Sequence, residues 1–200
     1  MPTPRRTGTL IPSPNTVIEM EFNRIVPRQY QLHVGRLRMG PIDEVGWRMQ
    51  DADIDYQAEL LGSAKVELII LAQTAVSFFD LEYDSDVKAR ITKASGAPAL
   101  TGGEITARAA HALGLRRVAL LSPYGDSLNE RGRLYYQSLH GLHVVVTETF
   151  GRPKDSATVS EIPIEVPLHA VCIARRAGLT PRGEGEMRMR EPAPEICTGR

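Results

Sequence analysis

The sequence predicts an α/β protein built on parallel sheet, and three observations carry that reading. Leu68-Ile69-Ile70-Leu71 is an apolar run of strand length that passes without a polar spacer into Ala72-Gln73-Thr74-Ala75-Val76-Ser77. Val118-Ala119-Leu120-Leu121 passes as abruptly into Ser122-Pro123-Tyr124. Strands apolar on both faces are covered on both sides, as in parallel sheets packed under helices. Helical patterns also separate the strands at regular intervals, the alternation that builds βαβ units.

Taken in order, Thr7 to Ile11 is a short apolar strand ended by Pro12-Ser13-Pro14-Asn15. Thr16 to Glu19 has the T-x-x-E spacing of a capping box, which places a helix from Asn15 or Thr16 toward Arg24. Tyr30 to Leu37 alternates as a second strand. Met39 to Asp53, with a Gly-Pro break and the single tryptophan, Trp47, reads as a connection or lid. Ile54, Ala58 and Leu61 have helical spacing and lead into the Leu68 strand. Asp84 to Ser95 is a helix closed by Gly96, and Pro98-Ala99-Leu100 is a minimal strand. Thr101 to Glu104 is a second capping box, opening a helix that runs to Gly114.

Arg117 to Ser122 is the next buried strand. Ser127 to Glu130 forms a third capping box, its helix ends at Gly141, and His143 to Thr147 is again a strand. Ser156 to Ala177 has the pattern of one more helix. Arg175 to Arg200 holds six arginines, four glycines, three prolines and no aromatic residue, which predicts a mobile tail. The divisions expected are a first α/β lobe over 1–115, a partial second lobe over 116–177 and a tail over 178–200.

Charge narrows the function. Lys+Arg and Asp+Glu number 24 each, so no broad basic field for nucleic acid or a membrane surface is expected. Nothing near the N-terminus has signal-peptide form and no apolar run reaches the length of a membrane span, so a cytoplasmic location is the default. Cys172 and Cys197 form no CxxC pair and no His/Cys cluster has zinc-like spacing, so neither a disulfide framework nor a structural metal is suggested.

The strand-to-helix junctions carry the candidate chemistry. They are Ser13-Pro14-Asn15, Gln73-Thr74-Ala75, Thr101-Gly102-Gly103 and Ser122-Pro123-Tyr124. In a parallel sheet all four lie on one edge, which offers hydroxyls, amides and helix N-termini with almost no charge. That suits a small carboxylate. Each junction alone is most simply a helix cap; together, Asn15, Thr74 and Tyr124 make a candidate binding edge. His33, His111, His140, His143 and His169 sit in or at the ends of regular elements, none in a convincing triad, and read as structural.

Pro12-Ser13-Pro14-Asn15-Thr16 with Glu19 and Glu21, the block Thr74-Ala75-Val76-Ser77-Phe78, and Ser122-Pro123-Tyr124 followed by Asn129 resemble the maleate cis-trans isomerase and arylmalonate decarboxylase group of the aspartate/glutamate racemase superfamily. The resemblance implies two pseudo-symmetric parallel-sheet lobes, the second incomplete in this chain, with a cofactor-free site between them. In the superfamily's isomerases and racemases two cysteines face each other across the substrate. The first belongs at Gln73, which is no nucleophile.

The decarboxylase also lacks a cysteine at that place, and there a threonine, a serine and the Pro-Tyr tyrosine hold the substrate's oxygens. Thr74 and Tyr124 match this set, Ala75 stands where the serine is expected, and Asn15 and Asn129 complete the implied substrate-binding residues. Cys197, in Ile196-Cys197-Thr198, is the candidate for the second cysteine, beside Tyr124 as the other catalytic candidate. The stretch before it, Glu191 to Glu195, is not a buried strand, so a tail cysteine without a role is the alternative.

The function implied is a cofactor-independent isomerase of the maleate type acting on a small dicarboxylate. Its alternatives are an arylmalonate-decarboxylase-like enzyme and a non-catalytic carboxylate-binding member. Homo-oligomers are compatible with either enzyme.

Overall fold

In the computed structural model, which describes residues 3–150, 156–159 and 161–162, six strands and eight helices alternate along the chain. β1 (Arg5–Pro12), β2 (Tyr30–Leu37), β3 (Leu68–Leu71) and β4 (Ala99–Thr101) form one sheet in the order β2-β1-β3-β4. All its pairs are parallel, with Leu10 opposite Leu71 and Ile69 opposite Ala99. β5 (Arg117–Ser122) and β6 (His143–Thr149) make a second, two-stranded parallel sheet with a register shift between Val118 and Ala119. The helices are α1 (Ile18–Ile25), α2 (Glu44–Asp51), α3 (Ile54–Ser63), α4 (Ala75–Phe79), α5 (Tyr83–Ser95), α6 (Gly102–Ala112), α7 (Asp126–His140) and α8 (Ser156–Val159). The parallel α/β architecture expected from the sequence is therefore present.

The four-stranded sheet decides where a ligand can sit. After β1 the chain crosses to one side to make β2, then returns across β1 to make β3, so strand order reverses between β1 and β3. Loops leaving the carboxyl ends of two such strands diverge to opposite faces and leave a crevice between them. Here the diverging loops are Ser13 to Val17 and Ala72 to Thr74.

Two apolar clusters stabilise the halves. Leu10, Leu37, Ile54, Ala58, Leu61, Ile69, Leu71, Val76, Val87 and Ile91 pack the first sheet against its helices. Phe78, Ala107, Tyr135, Tyr136, Leu142 and Val144 form the second. Phe78 comes from α4, on the first unit, yet its ring meets Tyr124, Tyr135 and Tyr136 at centroid distances of 6.4, 5.5 and 5.8 Å. Gly132 makes room for it, since a Cβ there would lie 2.8 Å from the Phe78 ring.

Several local expectations change. Met39 to Asp53 contains the helix α2, started by Asp43, whose Oδ1 accepts from the N–H groups of Val45 and Gly46 at 2.9 and 3.0 Å. The helix needs glycine at Gly46: a Cβ there would stand 2.0 Å from the Pro41 carbonyl oxygen. The Thr16 capping box gives way to Asn15, whose Oδ1 accepts from Val17 N and Ile18 N at 3.1 and 3.0 Å. At α7 the capping position is Gly125, not Ser127, and no side chain caps it. Thr101 does cap α6, accepting from Glu104 N at 3.3 Å.

Val118 to Leu121 are half-buried, not covered on both faces, because among the described residues β5 has β6 as its single neighbour. Of the helix expected over Ser156 to Ala177, Ser156–Val159 is described. The expected tail over 178–200 and both cysteines lie outside the described residues.

Candidate active site

A cavity of about 440 Å³ opens at the carboxyl edge of the first sheet, where strand order reverses. Asn15, Thr74, Ala75 and Tyr124, four of the residues singled out in the sequence, line it together. Pro12, Ile42, Ile70, Ala72, Ile105 and Val159 give it a largely apolar wall, and Gln73, Gly102 and Thr106 complete the lining.

Each polar residue is held by its own element. Arg36 on β2 donates from Nη1 to the carbonyls of Ser13 and Asn15 at 2.8 and 2.9 Å, and its Nη2 pairs with Glu19. The loop after β1 is thus clamped to β2. Asn15 spends its carbonyl oxygen on the start of α1, which leaves its NH₂ as the group it can turn to a ligand. Thr74 ends the connection from β3 to α4. Tyr124 follows β5 across the cavity.

The Thr74 Oγ1 and the Tyr124 hydroxyl approach to 3.4 Å. Two oxygens at that spacing can both donate, at normal hydrogen-bond length, to one further oxygen between them. Burial pushes the Tyr124 phenol above its ordinary pKa, and the hydrogen bond with Thr74 pulls it part of the way back. The phenol therefore keeps its proton throughout the neutral range and serves as a donor. Among the described lining residues there is no Lys, Arg, His, Asp or Glu.

Beneath Tyr124 lies the residue whose expected role changes. Asn129 is 2% exposed and does not line the cavity. Its Oδ1 accepts from Ser122 Oγ, while its Nδ2 donates to the Tyr124 carbonyl at 3.3 Å and to Thr149 Oγ1 at 2.8 Å. Ser122 Oγ in turn accepts from Tyr124 N at 3.0 Å. Asn129 therefore fixes the backbone that carries the phenol, joining β5, α7 and β6.

Gln73 occupies the wall beside Thr74. Its Nε2 has only Met39 Sδ at 3.9 Å, a weak acceptor, and its Oε1 is buried without a partner. Its backbone abuts Gly102, where a Cβ would stand 3.2 Å from the Gln73 carbonyl group. Ser77, which the sequence places near the strand edge, points into the interior and is fully buried. Among the described residues no group of three or more His, Cys, Asp or Glu could hold a metal ion, and no helix is long and apolar enough to cross a membrane.

Residues 8–171 match the family model of arylmalonate decarboxylase. The chain belongs to the arylmalonate decarboxylase family. Within its wider group, the chain is 28% identical over 138 residues to a maleate isomerase of Pseudomonas putida, an alignment covering 62% of this chain and 55% of that protein. It thus spans about half the length of that curated relative.

Solved structures of the same fold include maleate isomerase Iso from Pseudomonas putida S16, with TM-score 0.74 and 22% identity, covering 85% of this chain and 73% of that one. A liganded, doubly substituted arylmalonate decarboxylase also has TM-score 0.74, with 20% identity over 92% of this chain and 76% of the other. A cysteine-to-serine variant of the Nocardia farcinica maleate cis-trans isomerase, which carries a covalently bound succinylcysteine intermediate, superposes with TM-score 0.71, 23% identity and coverage of 88% and 73%. The family's fold expected from the sequence is the fold of this protein.

Proposed function

We propose that this protein is a cofactor-independent enzyme for a small dicarboxylate, and that it decarboxylates a substituted malonate. The observation that carries this reading is the Thr74 and Tyr124 hydroxyl pair at 3.4 Å, facing a cavity whose described lining is uncharged and largely apolar. Decarboxylation breaks the C–C bond to one carboxylate. Its electron pair spreads onto the remaining carboxylate, giving an enediolate, and CO₂ leaves; a proton then goes to the carbon. Thr74 Oγ1 and Tyr124 OH donate to an enediolate oxygen, where two preorganised neutral donors act most strongly in a site that excludes water. The apolar wall receives the substituent and destabilises the departing, charged carboxylate. The final proton comes from an acid on the protein or from solvent.

A second reading is cis-trans isomerisation of maleate, favoured by the similarity to the Pseudomonas putida maleate isomerase. It needs a nucleophile to add to the double bond, and Gln73 supplies none. The choice of decarboxylation over isomerisation rests on that residue.

A panel of phenylmalonate, methylmalonate, maleate and aspartate tests both readings, with CO₂ release and product NMR as readouts. CO₂ from a malonate is the expected result. Conversion of maleate to fumarate establishes the second reading instead, and binding without turnover across the panel reduces the protein to a carboxylate-binding member of its family.

A further inference from the structure

Away from the cavity, a buried carboxylate collects three hydroxyls from three elements. Asp84, in the first turn of α5, is 8% exposed. Its Oδ1 accepts from Ser77 Oγ at 2.6 Å, and its Oδ2 accepts from Thr101 Oγ1 at 2.6 Å and from Tyr135 OH at 2.5 Å. Ser77, Thr101 and Tyr135 are all fully buried. No cation bonds to this carboxylate among the described residues, so the three hydroxyls supply the compensation that a buried anionic group requires.

The three donors belong to the elements that build the cavity. Ser77 lies on α4, which begins directly after Thr74. Thr101 caps α6, which brings Gly102, Ile105 and Thr106 to the wall. Tyr135 lies on α7, which follows Tyr124 and carries its support, Asn129. The fit around Tyr135 is close: a Cβ on Gly103 would stand 2.6 Å from its hydroxyl oxygen. Thr74 and Tyr124 come from different sheets, and the Asp84 carboxylate is bonded to both sides of that division.

We propose that Asp84 is a positioning residue: by gathering Ser77, Thr101 and Tyr135 it locks α4, α6 and α7 together and thereby sets the approach of Thr74 to Tyr124. Its catalytic consequence rests on the reading of those two hydroxyls as the oxygen-binding pair. An asparagine at 84 can accept at only one atom and must place an NH₂ where two acceptor lone pairs stood, so at least one of the three hydroxyls loses its present partner or turns round. Tyr135→Phe is the gentler cut, removing the hydrogen bond that Tyr135 of α7 donates to Asp84 while keeping the ring.

The test compares Asp84→Asn and Tyr135→Phe with the parent, using fluorotyrosine-labelled protein. The fluorine NMR signal of Tyr124 is identified by its absence in Tyr124→Phe. Both variants are expected to move or broaden that signal, although neither touches Tyr124. In turnover they are expected to lower kcat per folded molecule by about tenfold or more, with KM changed by less than about threefold. A Tyr124 signal that stays in place in Tyr135→Phe, with kcat per folded molecule unchanged, overturns the positioning role even if thermal stability falls, and leaves the proposed function standing. A Tyr124 signal that moves in a protein whose parent turns over no malonate or maleate supports the positioning and overturns the proposed function.

Discussion

Tyr124→Phe is expected to lower kcat for the proposed malonate substrate by about ten- to a thousandfold, the range seen when one preorganised donor to a developing oxyanion is removed. Thr74→Val is expected to fall in the same range, because both hydroxyls address one oxygen. The phenol makes one long contact, 3.4 Å to Thr74, and its backbone is held independently by Asn129 and Ser122. Its loss therefore costs little stability, about 1 kcal/mol or less. The double variant separates additive from shared action: two donors to one oxygen give a combined loss smaller than the product of the single losses. Kinetics on the three variants, with urea denaturation beside them, check this. A Tyr124→Phe enzyme that keeps parental kcat would remove the hydroxyl pair from the mechanism.

The second large effect concerns alkaline pH. Burial pushes the phenols of Tyr83, Tyr124, Tyr135 and Tyr136 above the ordinary value of 10.0, that of Tyr136 to about 12. Nearby carboxylates add to the rise at Tyr83 and Tyr135. Above about pH 10 the unfolded chain sheds these protons while the folded chain keeps them, so the folded state binds more protons and stability falls as pH rises. The stability from these phenols is thus complete below pH 10 and is lost through the range above it. Each contributes a slope of up to about 1.4 kcal/mol per pH unit where only the unfolded form titrates, so the buried phenols together make a steep alkaline loss of stability. Urea midpoints are expected to hold level to about pH 10 and then drop steeply. Phenolate absorbance should show these four tyrosines appearing in one step with unfolding. Gradual ionisation of the four in the folded protein would show that burial does not protect these phenols.

The strands and the larger helices were legible because their signals are local. Leu68 to Leu71, Tyr30 to Leu37 and the glycines at 96 and 141, both left-handed with φ of 74° and 62°, each reveal their element within a few residues. The candidate edge was legible in part for a topological reason: in a parallel sheet every strand-to-helix junction falls on the same side, which places Asn15 with Thr74, whereas Tyr124 leaves the separate β5–β6 sheet and meets them through the packing of the two units. Helix starts were read less well. Asn15 displaced Thr16 because its short amide reaches the N–H groups two and three residues on, and α2 lies in the stretch whose Gly-Pro break reads as a connection. Asn129 was assigned to the ligand, yet it serves the protein beneath Tyr124. The Asp84 cluster left no signal, since its partners stand 7, 17 and 51 residues away and no spacing rule connects them.

The uncharged described wall of the cavity has a consequence for how affinity responds to acid. Among the described lining residues Tyr124 is the one titratable group, and its proton is held more tightly than that of a free phenol. From mildly acidic to mildly alkaline solution this part of the wall does not change charge. The carboxyl groups of the proposed ligand do, and a carboxylate received by hydroxyl donors and apolar carbon forfeits far more hydration than its protonated form. On the proposed reading, the pH profile of binding against this wall follows the titration of the guest. Among malonates of similar shape, their order of acidity then becomes an order of affinity.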